Sequence, residues 1–197
     1  MGAGEDVNRK LVVVVAVAAV AALLAGAAVG RSLLSPATRA PSLPDVVRFK
    51  DEISKVSIAY PASWRRLEAQ PDQPDIALIV QGDEFSSLIV RAAPAGIVNP
   101  TKKTLPIARK FTDGLVAEDP LAKQIVDPVE VELGGLLGIR YRYTFGKGAM
   151  RGAHDHYFLF KDGRLIQLVF QAIPAERLRG LTPVFQRIAG TFRGREK

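Results

Sequence analysis

The stretch DHYFLFKDGRLIQLVFQAIP, residues 155–174, is where the fold of this chain is decided. Asp162-Gly163 lies at its middle between two apolar runs, and an Asp-Gly pair so placed supports the left-handed backbone of a tight hairpin turn. Gly163 is therefore read as structural. On the outgoing arm Ile166, Leu168 and Phe170 alternate with Leu165, Gln167 and Val169, which is the period of a strand. One face of that arm is wholly apolar and the other is mixed, as expected when helices cover one side of an antiparallel sheet. The arms are placed at Ala153–Phe160 and Leu165–Gln171.

Working outward, Leu136–Phe145 is a strand that sets Ile139, Tyr141, Tyr143 and Phe145 on one face. Gly134-Gly135 turns it back from a strand at Ile125–Leu133. Further upstream, Val56, Ile58 and Tyr60 alternate with Ser57 and Ala59, after a short apolar stretch at Val46–Phe49. Pro61 stops that strand, and the turn it opens brings Trp64, the only tryptophan, down as a core anchor, with a ligand platform as the competing reading. Ile76–Gln81 and Phe85–Ala92 form a hairpin around Gly82-Asp83. Leu105, Ala108, Phe111 and Leu115 make the stripe of a surface helix, with Thr104 as its cap and Pro106 in its first turn. Leu178, Leu181, Phe185, Ile188 and Phe192 make the stripe of a last helix, with Thr182-Pro183 read as cap and first helical residue. The order strands, helix, four strands, helix is an α+β arrangement built on an antiparallel sheet flanked by helices.

The N-terminal part reads differently. Residues 1–10 form a short cytoplasmic tail. Leu11 to Val29 is unbroken apolar sequence, and residues 11–30 are assigned as a transmembrane signal anchor, since about 20 apolar residues cross a bilayer as a helix. A cleaved signal peptide is the competing reading, with Ala25-Gly26-Ala27 as its cleavage site. Ala18, Ala22, Gly26 and Gly30 recur every four residues and offer a close-packing face for a weak homodimer. Residues 31–45 are a proline-rich linker, and residues 46–193 are the domain. The expected location is the cell membrane, single-pass, with the domain extracytoplasmic.

The chain has 197 residues, no cysteine, two histidines and a formal net charge of +7. The absence of cysteine removes disulfides, thiolate metal sites and cysteine nucleophiles. The basic residues are scattered and follow no nucleic-acid motif, so nucleic acid is not an expected partner. A protein or an anionic envelope component is.

Three segments resemble the Mog1/PsbP-like family: VSIAYPASW at Val56–Trp64, the hairpin at Asp155–Pro174, and VFQRIAGTF at Val184–Phe192. Together they span most of residues 46–193. The resemblance implies an antiparallel sheet sandwiched by helices and a function in binding or assembly; members include a Ran-binding nuclear import factor and extrinsic subunits of photosystem II. The chain is read as a bacterial, membrane-anchored member. It lacks the lipobox cysteine of lipid-anchored members, and no residue pattern transfers Ran or photosystem binding.

The remaining candidates are local. His154 and His156 share one strand face and could hold zinc or copper with a third ligand from Glu130 or Glu132; the alternative is a solvent-exposed strand start. Lys147 and Arg151, around Gly146-Lys-Gly148, could cradle an anion or form a mobile hairpin tip. Tyr141 and Tyr143 could line a groove for a peptide or glycan, or pack under a helix. No serine-hydrolase elbow, P-loop or dinucleotide fingerprint is present. No cofactor is expected, and no catalytic residue is assigned. The expectation is a non-enzymatic, membrane-tethered module for a protein or envelope component. The alternative is a small-ligand or metal-binding protein using a sheet–helix pocket near His154 and His156.

Overall fold

The computed structural model describes residues 45–194 apart from positions 84 and 98. Strands β1 (Val46–Asp51) and β2 (Val56–Pro61) pair as a separate two-stranded hairpin. β3 (Arg65–Leu67), β4 (Ile76–Asp83) and β5 (Ser86–Pro94) come next, then helix α1 (Leu105–Ala117). β6 (Lys123–Leu133), β7 (Leu136–Phe145), β8 (Gly152–Lys161) and β9 (Arg164–Ala172) follow, and helix α2 (Leu178–Gly190) closes the order. β3 to β9 form one seven-stranded sheet in the order β3-β4-β5-β9-β8-β7-β6, antiparallel throughout.

The hairpin read from Asp155–Pro174 is the centre of this sheet. β8 and β9 pair without a break from Lys161↔Arg164 to Ala153↔Ala172. Asp162 and Gly163 have φ of 50° and 75°, the doubly left-handed turn that matches the twist of the flanking strands. Strand periodicity then sorts the side chains. Leu159, Ile166, Leu168 and Phe170 meet Leu178, Phe185 and Ile188 of α2 and Val56, Ile58 and Tyr60 of β2. The Phe170 and Phe185 rings stack at 5.0 Å. On the opposite face Ile139, Tyr141, Tyr143, Phe158, Phe160 and Leu165 lie beneath Leu105, Ala108, Leu115 and Val116 of α1. Both faces are therefore covered, which corrects the expectation of helices on one side. The mixed face of β9 carries Gln167 and Gln171, and these are as buried as its apolar neighbours.

Two helix starts also differ from expectation. Thr104 makes no side-chain cap for α1; its hydroxyl instead accepts from the Thr101 N–H at 2.9 Å. α2 begins at Leu178, so Pro183 lies inside it and the Thr182 hydroxyl donates to the Leu178 carbonyl at 2.7 Å. A 3-10 turn at Ala175–Arg177 leads directly into the helix and starts it earlier than the Thr-Pro pair.

The tail at 1–10, the transmembrane segment at 11–30 with its stripe Ala18, Ala22, Gly26 and Gly30, and the linker up to residue 44 lie outside the described residues. Among the described residues no helix is long and apolar enough to cross a membrane. The fold assignment is corrected to the α+β domain alone. The single-pass location, the extracytoplasmic side, the membrane tether and the membrane-helix homodimer have no such helix to rest on among the described residues.

Phe185 is fully buried, whereas Ile107 on the outer face of α1 is 72% exposed. Phe185→Ala should lower unfolding free energy by about 3–5 kcal/mol, and Ile107→Ala should change it by no more than about 0.5 kcal/mol. Urea denaturation of both variants checks the assignment of inside and outside.

Candidate functional site

The face of the sheet shared with α1 carries a row of polar residues near one end of the strands. Tyr143, His154, Gln171, Ser87 and Gln81 stand opposite one another on β7, β8, β9, β5 and β4. His156 lies two residues along β8 on the same face. Both histidines are buried, at 3% and 0% exposure, so the reading of a solvent-exposed strand start does not hold. Each is held by a glutamine on β9: His154 Nε2 lies 3.0 Å from Gln171 Oε1, and His156 Nε2 lies 3.1 Å from Gln167 Oε1. An amide oxygen only accepts, so Nε2 carries the proton in both rings. His156 Nδ1 is then the acceptor for the Tyr143 hydroxyl at 3.0 Å. Phe145 stacks on the His154 ring and Phe158 on the His156 ring.

This arrangement suits neutral imidazoles. Burial pulls the pKa of His154 down to about 4 from its ordinary 6.5, against a smaller upward pull from the Gln171 contact. Burial also lowers His156, helped by the neighbouring His154 and by Arg91. Burial raises the Tyr143 hydroxyl well above the usual tyrosine range. It is not an arrangement for a metal. Among the described residues no group of three or more His, Cys, Asp or Glu is placed to hold one. Glu130 and Glu132 stand on the outermost strand opposite Ile139 and Leu137, away from the histidine row. The expected metal site at His154 and His156, and the metal-binding alternative built on it, are corrected accordingly.

Tyr141 and Tyr143 are 0% and 1% exposed beneath α1. The Tyr141 hydroxyl sits 2.7 Å from the Thr112 hydroxyl and donates to Asp113 at 2.8 Å. These rings hold a helix to a sheet. On the other face Asp155 is fully buried among apolar side chains. Arg140 holds it with two bonds of 2.6 and 2.5 Å, and the guanidinium lies 5.1 Å from the centre of the Tyr157 ring. The bond to Asp155 is the main reason that the Arg140 pKa is raised.

Lys147 and Arg151 lie just beyond this row, at the end of the sheet where β5 and β8 start and β9 ends. Backbone bonds tie these strand ends side by side: Ile173 N–H donates to Phe85 at 2.8 Å, and Ala175 N–H donates to Arg151 at 3.1 Å. Gly146 has φ of +68°, and a Cβ there would stand 2.5 Å from the Met150 carbonyl, so the turn closes only with glycine. The surface holds two large apolar side chains in the open, Phe85 at 37% and Met150 at 39%. Arg177 lies over the Phe85 ring at 4.6 Å and pairs with Asp83 at 3.0 Å. Arg151 pairs with Glu176 at 3.4 Å. Lys147 has no ion pair among the described residues. The sequence pointed to Lys147 and Arg151 but not to Phe85, Met150 or Arg177. The glycine-rich turn was a visible signal for the first pair. Only the pairing of β5 with β9 brings Phe85 and Arg177 beside it.

No family model matches the chain, and no curated protein matches it. Solved structures do resemble it. The solution structure of the cyanobacterial PsbP of Synechocystis sp. PCC 6803 is similar with a TM-score of 0.57 at 14% identity, covering 82% of this chain and 96% of that one. The chain shares the fold of PsbP. LpqN of Mycobacterium tuberculosis, a protein involved in cell envelope biogenesis, is similar with a TM-score of 0.50 at 16% identity, covering 71% of this chain and 82% of that one. The Ran-binding protein Mog1p of Saccharomyces cerevisiae gives 0.48 at 10% identity, covering 75% of this chain and 94% of that one. At these identities the likeness is one of fold. The expectation of a membrane-anchored family member is corrected to a distant PsbP-like fold, with no support in these likenesses for an anchored version.

The histidine row makes the domain acid-sensitive. His154 is neutral when folded and regains its ordinary pKa when unfolded, so its contribution is complete above pH 6.5 and is lost as the pH falls towards 4. The slope is about 1.4 kcal/mol per pH unit for each histidine that stays neutral. The midpoint of thermal unfolding should therefore fall across this window. In the His154→Gln/His156→Gln double variant the fall should be shallower, whatever its midpoint at neutral pH. Parallel profiles would assign the acid sensitivity to other groups.

Proposed function

We propose that this domain is a non-enzymatic protein-binding module whose contact surface is the sheet end formed by Asp83, Phe85 and residues 146–151 and 173–177. The observation that carries this reading is the placement of Phe85 and Met150. Both are large, apolar and open to solvent, and the backbone at Phe85 and at Arg151, next to Met150, is bonded to one common segment, Ile173 to Ala175. Aromatic residues, methionine and arginine are the types enriched at protein interfaces, and an apolar centre with a charged rim is the usual interface anatomy. Here Lys147, Arg151 and Arg177 supply cations at the rim. Arg177 is already stacked on Phe85 and paired with Asp83, so little side-chain freedom remains to be lost when a partner docks.

A photo-crosslinking residue at Met150 of the full-length protein, in its native cells, tests the surface. The control position is Ile53, which is 74% exposed at the opposite end of the domain, where Lys161 of the β8–β9 turn bonds to the Ser54 carbonyl. Position 150 should give one saturable protein adduct that position 53 does not give. Lys147→Glu/Arg151→Glu should cut its yield by about tenfold or more. The same adducts from both positions, or a yield indifferent to the charge reversal, would overturn the proposal.

A further inference from the structure

A second surface stands apart from the sheet end. β6 is the outermost strand on one side of the seven-stranded sheet, and the opposite edge, β3, is only three residues long. The two halves of β6 differ. The first half contains Lys123 and Pro128, and its pairing with β7 is broken by irregularities between Gln124 and Val126 and between Val126 and Val129. Lysine, proline and bulges are the devices by which a protein keeps an edge strand from pairing with another chain. The second half has no lysine, proline or irregularity, and its only charges are Glu130 and Glu132. Val129 to Leu133 pair one by one with Arg140, Ile139, Gly138, Leu137 and Leu136. A regular strand directs every second N–H and C=O outward, so this half offers an open ladder.

Its side chains alternate as regularly as its backbone. Val129, Val131 and Leu133 point to the face shared with α2, and Val129 is 49% exposed. Glu130 and Glu132 point to the other face, and both are exposed. Their neighbours on β7 are Ile139 and Leu137, so neither carboxylate faces a cation across the strand pair. Neither has an ion pair among the described residues. Two uncompensated carboxylates on an edge of a basic chain favour an approaching strand of positive charge.

We propose that the outer edge of β6 at residues 129–133 accepts an extended peptide segment in which basic and apolar residues alternate. The added strand would lie about 4.8 Å outside β6 and bond to its outward backbone groups. Its apolar residues would stand beside Val129 and Val131 on one face. Its basic residues would stand beside Glu130 and Glu132 on the other, as favourable cross-strand pairs do. Pro128 ends the site on one side and the Gly134-Gly135 turn ends it on the other, so the segment read is about five residues long.

The test uses the full-length protein and capped seven-residue peptides, with fluorescence anisotropy of the labelled peptide and the backbone amide signals of residues 129–133 as readouts. A peptide alternating lysine and valine should bind and shift those signals. The same residues in two blocks should bind about tenfold more weakly, because charge remains and register is lost. Methylation of alternate peptide nitrogens should abolish binding in one of the two possible phases. Glu130→Lys/Glu132→Lys, a change at two exposed positions, should switch the preference to a peptide alternating glutamate and valine. No binding by the alternating lysine peptide would overturn the proposal. So would equal binding of the block peptide, which is plain charge adsorption, or a preference that does not switch in the charge-reversed variant.

Discussion

The register between β8 and β9 is the constraint on which the rest of this domain depends. Residues 152–160 are buried along their whole length, so β8 has no solvent face to absorb an error. Side chains on a strand alternate with a strict period of two, and a slip of one residue exchanges the two faces. Such a slip in β9 would turn Gln167 and Gln171 into the layer of Phe185 and Ile188, and would turn Phe170 and Leu168 toward the histidines. The turn at Asp162-Gly163 prevents it, because only residues that accept positive φ close the two strands at this length. α2 and α1 each pack on rows that the hairpin has already sorted.

Buried polar groups in such a sheet cost least when partnered, and the two faces differ in how far they provide partners: on the α1 face Ser87 Oγ, His154 Nδ1 and the Nε2 atoms of Gln167 and Gln171 are buried without one. On the α2 face one charge is admitted, Asp155, and Arg140 meets both of its oxygens. Removing one member of a buried pair leaves the other uncompensated, at a cost of about 3–5 kcal/mol, although the intact pair contributes little beyond an apolar equivalent. On the α1 face the polar row is kept uncharged. The glutamines of β9 accept from the histidines of β8, and Tyr143 donates to the second imidazole. A proton added to His156 would meet the Tyr143 hydroxyl, His154 and Arg91, the last already paired with Asp75. The row specifies which residues face which across the sheet.

The elements themselves were legible in the sequence, since the periods of two and of three to four, together with the Asp-Gly and Gly-Gly turns, mark most strands and both helices. What lay above each face was not legible. The alternation of Tyr141 and Tyr143 with Arg140 and Arg142 says that they share a side, but not that α1 covers it, because that depends on which way the chain crosses after β5. His154 and His156 looked like an exposed strand start for the same reason: the neighbouring Gly-Lys-Gly turn suggests solvent, while the burial comes from β7, β9 and α1. The signal available was Gln167 and Gln171, spaced four apart on one face of the paired strand, as partners for two histidines spaced two apart. The early start of α2 was hidden because Thr182-Pro183 is a strong local start signal that tertiary packing of Leu178 overrides.

Because the central strands are buried on both sides, contact with other molecules is displaced to the ends and edges of the sheet. Those two kinds of surface differ in what they recognise. A sheet end presents side chains from strands that are distant in sequence, so its specificity is one of shape and charge position, as with Phe85 and Arg177 brought beside Met150. An edge presents backbone first, and backbone is the same in every protein, so an edge acquires selectivity only through side chains alternating along it. The guarded half of β6, with Pro128 and its two irregularities, shows that the chain suppresses pairing over part of this edge. Suppression that stops at Val129, where the acidic and apolar residues begin to alternate, leaves a short ladder with a readable pattern. A fully open strand of eleven residues would bind any extended chain; five residues bearing two unpaired carboxylates can discriminate by charge.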